Sequence, residues 1–328
     1  MKIEKIDNKT ILTTIYPMNA AAVDNSGLLV KLPKPQLDRL SYIDFRLFFL
    51  GELRRSDVVE RFQSGPAGAT RDIAMYKQIA PLNIEFDGAA KVYRPTSRFS
   101  PLFSHMPERV LTALSQGFGE VSTDGAGSLV RCEFPSLLNS PRIKILASVS
   151  RAIHRRKVLK VSYVSNTSGA SQRELVPLGL VNTGVRWHVR AFDRKSKEFR
   201  DFVLTRLTSA TVLEDGSVGL GETAEYDVQW SRIIELEMVP HPAQQRPEVA
   251  KLDYQMPDGV LRVSVRAANV GYMLRLWSVD CSPDHKLEGL EYTLWLRDPL
   301  VLYGADSAHL APGYEPPQRL KQRGGGRK

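Results

Sequence analysis

The residues most capable of specific chemistry are a histidine and several arginines on strand-like segments in the middle of the chain. His188 and Arg190 alternate along one segment, and Arg200 and Arg206 follow on a later one, so each pair is expected on one face of a strand. Guanidinium groups gathered on one face repel each other unless an anion lies between them. Since the planar fork of arginine suits phosphate, the pattern predicts an anionic ligand.

Two aromatic residues near these arginines extend the prediction. Tyr163 and Trp187 could each offer a ring on which a base stacks, as in nucleotide or single-strand binding. The expected ligand is therefore a nucleotide or a short nucleic acid. The alternative is that both rings lie in a hydrophobic core and that the arginines form an ordinary solvated face.

Charge is distributed unevenly along the 328 residues, whose net charge is +9. Residues 140–212 hold 15 Lys and Arg against 4 Asp and Glu, whereas residues 213–317 hold 8 against 17. Residues 318–328 hold five basic residues and no acidic one. Blocks of alternating sign indicate modules with different partners, and a polyanion is the expected partner of the basic blocks.

Motifs typical of metal sites and catalytic centres are missing from the sequence. The six histidines form no HExxH or His-x-His pattern, and Cys132 and Cys281 form no CxxC. We therefore expect no enzymatic activity, no cofactor and no metal. No apolar run approaches the roughly 18 residues of a membrane span, and the N-terminus lacks the apolar core of a signal peptide, so we expect a cytoplasmic protein.

The elements that precede the basic block predict a DNA-binding domain. Apolar residues at helical spacing predict helices over 37–50, 55–62 and 67–80, with a three-residue turn between the second and the third. Two short alternating runs around Asp87-Gly88 predict a hairpin. Together these elements form a winged helix-turn-helix. The alternative is a small helical subdomain whose hairpin has no role in DNA binding.

The third helix and the hairpin carry most of the residues expected to contact DNA. Arg71 or Lys77, on the exposed face of the third helix, is expected to reach base edges or phosphates. Ser56 and Ser64 are expected to cap the second and third helices. The predicted DNA contacts are Arg55, Ser56, Ser64, Ala67, Thr70, Arg71, Lys77, Lys91 and Arg94.

The rest of the chain predicts a multidomain α+β protein. A helix over 141–156 followed by five strand-like runs between 158 and 213 predicts a small β-barrel of the Sm or SH3 kind. Beyond it, a helix near 226–235, strands at 260–266 and 290–297 and a helix over 270–278 predict a separate α+β domain. The expected segments are an N-terminal arm (1–36), a winged helix-turn-helix domain (37–100), a helical and Gly-rich connector (101–139), the barrel domain (140–225), a C-terminal domain (226–315) and a disordered basic tail (316–328).

Most of the chain, from about Leu37 to Tyr314, resembles the WYL-domain transcriptional regulators of bacteria. The matching frame in the barrel domain is Arg173-Glu-Leu-Val-Pro-Leu-Gly-Leu, Trp187 and Phe199-Arg-Asp-Phe-Val-Leu-Thr-Arg-Leu. The namesake tripeptide reads Trp187-His-Val here, so a histidine stands where the family has its tyrosine. Ile43-Asp-Phe-Arg-Leu-Phe-Phe-Leu-Gly-Glu and Gly65-Pro-Ala-Gly-Ala-Thr-Arg-Asp resemble the subgroup that represses phage-defence operons, the BREX- and CBASS-associated regulators.

This resemblance implies a winged-helix reader, an Sm-like ligand-sensing WYL domain, a C-terminal dimerisation domain and no enzymatic activity. We therefore predict a homodimeric, sequence-specific regulator, a repressor by the resemblance, that binds double-stranded operator DNA of a phage-defence operon and has no membrane partner. The predicted ligand contacts are Tyr163, Arg173, Trp187, His188, Arg190, Arg200 and Arg206. His188 is expected either to hydrogen-bond a ligand phosphate or to cap the barrel. The alternative function is an RNA- or single-strand-binding protein whose main substrate lies on the basic barrel.

Overall fold

The computed structural model describes residue 29 and residues 32–118, 129–133 and 139–317. The chain divides into two compact units, residues 1–134 and 135–328. Most of the expected N-terminal arm, the Gly-rich part of the connector and nearly all of the expected basic tail lie outside the described residues. Within the described ranges, no helix is long and apolar enough to cross a membrane.

The first unit contains the three predicted helices, which are confirmed. They are α1 (Lys34–Phe45), which continues as a π-helical turn over Arg46–Leu50, α2 (Arg55–Phe62) and α3 (Pro66–Ile79). The predicted caps are wrong by one or two residues. Arg54 precedes α2, and its backbone N–H donates to the Asp57 carboxylate over 2.7 Å. Gly65 precedes α3, because the fixed φ of Pro66 suits the first helical position.

The predicted hairpin is also confirmed. Strands β1 (Ile84–Asp87) and β2 (Val92–Pro95) pair in antiparallel register, and a helix, α4 (Pro107–Gln116), follows. The fully buried carboxylate of Asp44 on α1 accepts hydrogen bonds from the Tyr76 hydroxyl, over 2.6 Å, and from the Leu102 N–H, over 3.0 Å. This carboxylate therefore fixes α1, the end of α3 and the segment after the hairpin relative to one another.

The second unit begins with α5 (Ile143–Arg155) and an antiparallel five-stranded sheet. The strands are β3 (Val158–Ser165), β4 (Gly169–Asn182), β5 (Trp187–Asp193), β6 (Glu198–Val203) and β7 (Leu207–Leu213). Their order is β6-β5-β4-β3-β7, and α5 packs Val149 and Ala152 against the core of the sheet. Among the described residues no ladder joins β6 to β7, so the barrel predicted here is not closed by hydrogen bonds.

The C-terminal part of the second unit is a mixed α+β domain, as predicted, with different element bounds. In order it contains α6 (Val228–Ser231), β8 (Ile233–Pro240), α7 (Pro247–Asp253), β9 (Leu261–Arg266), α8 (Val270–Leu276), β10 (Val279–Asp280) and β11 (Leu294–Leu296). The sheet order is β10-β11-β8-β9. The helix predicted near 226–235 is wrong beyond α6. From Ile233 onward the apolar side chains recur every second residue, with Ile234, Leu236 and Met238 buried, which is the period of a strand.

Candidate functional site

The exposed face of α3 presents the residues expected to read DNA. Ala67, Thr70, Arg71 and Lys77 are exposed, while Ala69, Asp72, Ile73, Tyr76 and Ile79 are buried on the opposite side. The Thr70 hydroxyl donates to the Pro66 carbonyl over 2.9 Å and so is partly engaged within the helix. Among the described residues, the structure records no ion pair or hydrogen bond for the side chains of Arg71 and Lys77. Both charges therefore face solvent and can meet phosphate or base edges.

The flanks of α3 hold the other predicted DNA contacts. Arg55 and Ser56 are exposed at the start of α2, while the Ser64 hydroxyl is buried in the turn before α3 without a hydrogen-bond partner among the described residues. On the hairpin, Lys91 is exposed at a positive φ of 55°, and the Arg94 guanidinium lies 3.2 Å from the Asp87 carboxylate. All of the predicted DNA contacts except Ser64 thus lie exposed at the surface of one unit, on α2, α3 and the hairpin.

A cavity of about 520 Å³ lies in the second unit between the central sheet and the C-terminal domain. From the sheet side it is lined by Tyr163, His188, Asp201 and Arg206, and the loop between β4 and β5 adds Arg186. From the C-terminal side it is lined by Tyr272, Arg275 and Leu276 of α8 and by His309. Three of the predicted ligand residues, Tyr163, His188 and Arg206, therefore meet at one cavity.

His188 is a neutral, buried member of this cavity. Its side chain is buried, with 6 % of the residue exposed, and its Nδ1 atom has no hydrogen-bond partner among the described residues. Burial, helped by the positive charges of Arg186 and Arg206, lowers the pKa of His188 to about 4. Near neutral pH the ring is uncharged, so it can offer a hydrogen bond but adds no positive charge.

Arg190, which is not part of the cavity lining, lies in a buried ion network. Its guanidinium contacts the Asp227 carboxylate through Nε, over 2.7 Å, and through Nη2, over 3.0 Å, and its Nη1 lies 3.4 Å from Asp201. The Tyr272 hydroxyl reaches the other oxygen of Asp201 over 3.4 Å. Burial and the nearby Asp201 charge raise the pKa of Tyr272 to about 12, so the phenol stays protonated and donates. Arg190 thus joins β5, β6 and the segment before α6 rather than lining the cavity.

The remaining predicted ligand residues lie outside the cavity lining. Arg173 on β4 is paired with the fully buried Asp193 carboxylate of β5. Arg200 is exposed on β6 beside Glu198, and Trp187 is 38 % exposed at the start of β5. The structure therefore does not bring these three side chains together with Tyr163, His188 and Arg206.

Sequence reasoning missed the half of the cavity that the C-terminal domain supplies. Tyr272 and Arg275 stand three residues apart on α8, a spacing that places them on one helix face, but nothing in the sequence identifies the sheet that this face meets. Arg186 could have been predicted from the sequence, because it directly precedes Trp187. Within the described residues no group of three His, Cys, Asp or Glu side chains could hold a metal ion.

Two glycines explain how closely the C-terminal domain approaches the central sheet. A Cβ atom on Gly179 of β4 would lie 3.1 Å from the ring of Trp230 on α6. Gly184, in the turn between β4 and β5, has φ +78°, and a Cβ there would lie 2.4 Å from Leu276 of α8. Gly184 therefore needs glycine for its backbone conformation, and a side chain at either position would have to displace the side chain of Leu276 or Trp230.

Three family models match successive parts of the chain. Residues 36–116 match the BrxR transcriptional regulator winged helix-turn-helix domain, residues 144–212 match the WYL domain, and residues 233–302 match the BrxR transcriptional regulator C-terminal dimerization domain. These ranges coincide with α1 to α4, with α5 and the five-stranded sheet, and with most of the C-terminal domain.

Curated relatives cover most of the chain. The DNA-binding transcriptional repressor CapW of Escherichia coli (strain KTE188) is 30% identical over 271 residues, which are 79% of this chain and 89% of the relative. The Pseudomonas aeruginosa repressor of the same name is 32% identical over the same shares. The one from Stenotrophomonas maltophilia is 31% identical over 72% of this chain and 81% of its own length. With its winged helix-turn-helix, WYL and C-terminal dimerization domains in the same order, the chain belongs to the family of WYL-domain transcriptional regulators that includes BrxR and CapW.

Proposed function

We propose that this protein is a DNA-binding transcriptional repressor of a phage-defence operon, and that an anionic ligand at its WYL domain controls its affinity for the operator. The observation that carries the DNA-binding part is the α3 face. Arg71 and Lys77 are exposed there without partners among the described residues, beside a hairpin that carries Lys91 and Arg94. Relatives that share 30% identity or more are named DNA-binding transcriptional repressors, which supports the direction of control.

The mode of binding follows from the geometry of helix-turn-helix proteins. The N-terminal part of α3 enters the major groove, Arg71 contacts base edges or phosphates, and the hairpin contacts the flanking backbone. A homodimer joined through the C-terminal domain places two such helices on half-sites one helical turn apart, about 34 Å. The proposal also includes the segment boundaries predicted from the sequence and the Sm-like character of the central sheet.

Ligand control is supported by the cavity between the central sheet and the C-terminal domain. Tyr163, His188 and Arg206 line it, so they are the proposed ligand contacts among the residues that the sequence indicates. The ligand is a nucleotide or a short nucleic-acid fragment, because the lining combines guanidinium groups with aromatic rings. Such a ligand changes operator affinity only by the difference in its affinity for the DNA-competent and the incompetent forms of the dimer.

The test of DNA binding is a titration of fluorescent duplex DNA. The duplex is the promoter upstream of the operon that encodes the protein, and shuffled duplex and single-stranded RNA of equal length are the competitors. The wild-type protein should prefer the promoter duplex over shuffled duplex by at least about 10³-fold. Equal affinity for the two duplexes, or tighter binding of RNA, would contradict the proposal.

The matched variants for this test are Arg71→Ala and Arg109→Ala. Both arginines are exposed on helices of the first unit, but Arg109 lies on α4. R71A should weaken binding to the promoter duplex by about 1 to 3 kcal/mol if Arg71 contacts a base, while R109A should bind within a few tenths of a kcal/mol of wild type. Thermal unfolding should show no change for either variant. Unchanged affinity of R71A for the promoter duplex would show that Arg71 does not contact a base.

A further inference from the structure

A second basic surface lies on the WYL domain and shares no lining residue with the cavity described above. It is a groove of about 850 Å³ between α5 and β7, and its lining includes Arg142, Lys144 and Arg151. We propose that this groove binds the sugar-phosphate backbone of duplex DNA, so that the WYL domain adds a sequence-independent contact to the one made by α3. The inference rests on the DNA binding proposed above and extends it to the second unit.

The groove collects basic side chains without acidic ones. No Asp or Glu stands among the described residues that line it, and the structure records no ion pair there for Arg142, Lys144 or Arg151. Glu214, just beyond β7, is engaged by Arg155, whose two Nη atoms lie 2.9 and 2.6 Å from its carboxylate oxygens. The groove therefore presents positive charge that is available to an external polyanion.

The helix that forms one wall differs in charge from the other long helices. α5 contains two arginines, a lysine and a histidine but no acidic residue, whereas α1 to α4 each contain at least one Asp or Glu. Arg151 and Arg155 stand four residues apart, a spacing at which like charges destabilise a helix. α5 packs on the sheet through Val149 and Ala152, which are buried on another face. The basic face is therefore not needed for packing, and an external anion would remove the repulsion.

Two of the basic groups are held in position by uncharged partners. The Nη2 atom of Arg142 donates to the carbonyl oxygens of Leu207 and Thr208, over 2.8 and 2.5 Å. The Nη2 atom of Arg151 lies 3.4 Å from the Ser148 hydroxyl. These contacts orient both guanidinium groups but do not neutralise them. A group that is already oriented loses less conformational entropy when it binds a phosphate.

The spacing of charges along α5 suits a nucleic-acid strand. Lys144 and Arg151 are seven residues apart, about two helical turns, so they lie near one face and about 10 Å apart along the helix axis. Successive phosphates of one strand of duplex DNA advance about 3.4 Å along the duplex axis, so three steps span the same length. The two side chains can therefore contact phosphates of one strand at the same time.

The rest of the lining favours a duplex over a single strand. No aromatic side chain stands among the described residues of the groove, whereas sites for single strands carry rings on which the bases stack. The exposed side chains of Ile143 and Ala147 offer apolar contact to deoxyribose. A duplex keeps its bases stacked inside and presents only phosphate and sugar to such a surface, so the contact carries no sequence information.

The experiment compares two charge-matched double variants of the full-length protein. Lys144→Gln with Arg151→Gln removes two charges from the groove, and Lys195→Gln with Lys197→Gln removes two from the exposed turn between β5 and β6, outside the groove lining. Glutamine has a helix propensity close to those of lysine and arginine. Arg142 is left in place because it also binds β7.

Affinities for promoter duplex and shuffled duplex are measured between about 50 and 200 mM salt. K144Q/R151Q should bind both duplexes at least about tenfold more weakly than wild type at the lower salt concentration, with its preference for the promoter unchanged. The slope of log affinity against log salt should decrease by about 1.8 for each protomer, or about 3.6 for a homodimer. K195Q/K197Q should stay within threefold of wild type. If the two double variants bind alike, the groove does not contact DNA and the inference is wrong.

Lysine acetylation of the wild-type protein, mapped by mass spectrometry, locates the contact without any substitution. Lys144 should react at least threefold more slowly when the promoter duplex is bound, whereas the exposed Lys195 should react at the same rate with and without DNA. Because no variant has to fold, this measurement tests the groove even where K144Q/R151Q is unstable. Equal reactivity of Lys144 in the free and the bound protein overturns the inference.

Single-stranded DNA and a glutamate decapeptide are the probes for other occupants of the groove. If K144Q/R151Q loses affinity for either probe but binds both duplexes like wild type, the groove serves a single strand or an acidic protein segment, and the inference is wrong. The promoter preference of the wild type and its loss in R71A depend on α3 alone. A failure of the DNA-binding proposal and a failure of the groove are therefore distinguished.

Discussion

The arginines of α3 and those of the central sheet look alike in sequence but differ in the structure. Arg71 is exposed, with no partner among the described residues, whereas Arg190 is buried, with 4 % exposed, between Asp227 and Asp201. Arg173 is likewise engaged by a buried carboxylate. Arg190 and Arg173 on the central sheet are therefore part of the fold and are not available to a binding surface.

The difference arises because a count of charged residues along a segment does not give the net charge of the surface that the folded segment presents. The block 140–212 carries 15 basic and 4 acidic residues, but the acid that holds Arg190 is Asp227, which stands beyond that block. Asp227 also precedes α6 and accepts a hydrogen bond from the Trp230 N–H over 3.1 Å. Part of the apparent basic excess is thus neutralised by the next domain. Among the described residues that line the cavity, Arg186, Arg206 and Arg275 are the basic ones for which the structure records no ion pair.

The largest expected effect tests whether Arg190 is structural. Arg190→Ala leaves the buried Asp227 carboxylate and the half-buried Asp201 carboxylate without their cation, so the free energy of unfolding should fall by about 3 to 5 kcal/mol. The control is Arg200→Ala, which removes an exposed pair with Glu198 and should cost about 0 to 1 kcal/mol. Chemical denaturation of both variants measures the difference. Equal stability of the two variants would show that the buried network does not distinguish sheet arginines from surface arginines.

A smaller effect concerns the pH dependence that His188 gives to the sheet. Its pKa is lowered to about 4 in the folded protein from an ordinary value of 6.5, by burial and by Arg186 and Arg206. As the pH falls below 6.5 the unfolded chain takes up the proton first, so the free energy of unfolding decreases until about pH 4. The total decrease should be about 3 kcal/mol.

The measurement is denaturant unfolding of wild type and of His188→Phe between pH 7.5 and 4.5. The variant lacks the titrating ring and should lose less stability over this interval than the wild type does. His154→Phe is the control, since His154 is exposed on α5, and it should keep the wild-type pH dependence. If H188F and wild type lose the same stability, the buried ring is not responsible.

Local elements were predicted well because their signals are local. Pro66 and the Asp87-Gly88 pair identify the start of α3 and the hairpin, and both are confirmed. The bounds of β3 and β5 are confirmed as well. The helix predicted beyond α6 is wrong because a short apolar run reads equally well at either period until the burial of Ile234 and Leu236 is known.

The sequence indicated three of the residues that line the cavity, but it did not predict the cavity itself. Tyr163 and His188 lie on strands of one domain, so strand patterns indicated them. The expectation that Arg206 shares a strand face with Arg200 is wrong, because β6 ends at Val203 and Arg206 closes the 3₁₀ turn that follows. Tyr272 and Arg275 enter only through the packing of α8 on the sheet, which depends on residues that are far apart in the chain, such as Gly184 and Leu276. The spacing of apolar residues within one segment carries no information about such packing.

The smallest expected effect separates two kinds of contact on the α3 face itself. Lys77 is exposed in the last turn of α3, where a lysine acts as a point charge toward phosphate and carries no sequence information. Lys77→Ala should therefore weaken binding to promoter and shuffled duplex alike. The slope of log affinity against log salt should decrease by about 0.9 for each phosphate that is no longer neutralised, or about 1.8 for a homodimer.

Arg71→Ala, if Arg71 reads a base, should instead reduce the preference for the promoter duplex. An unchanged salt slope for K77A, or weaker binding of the promoter duplex alone, would place Lys77 among the base contacts or away from the DNA altogether.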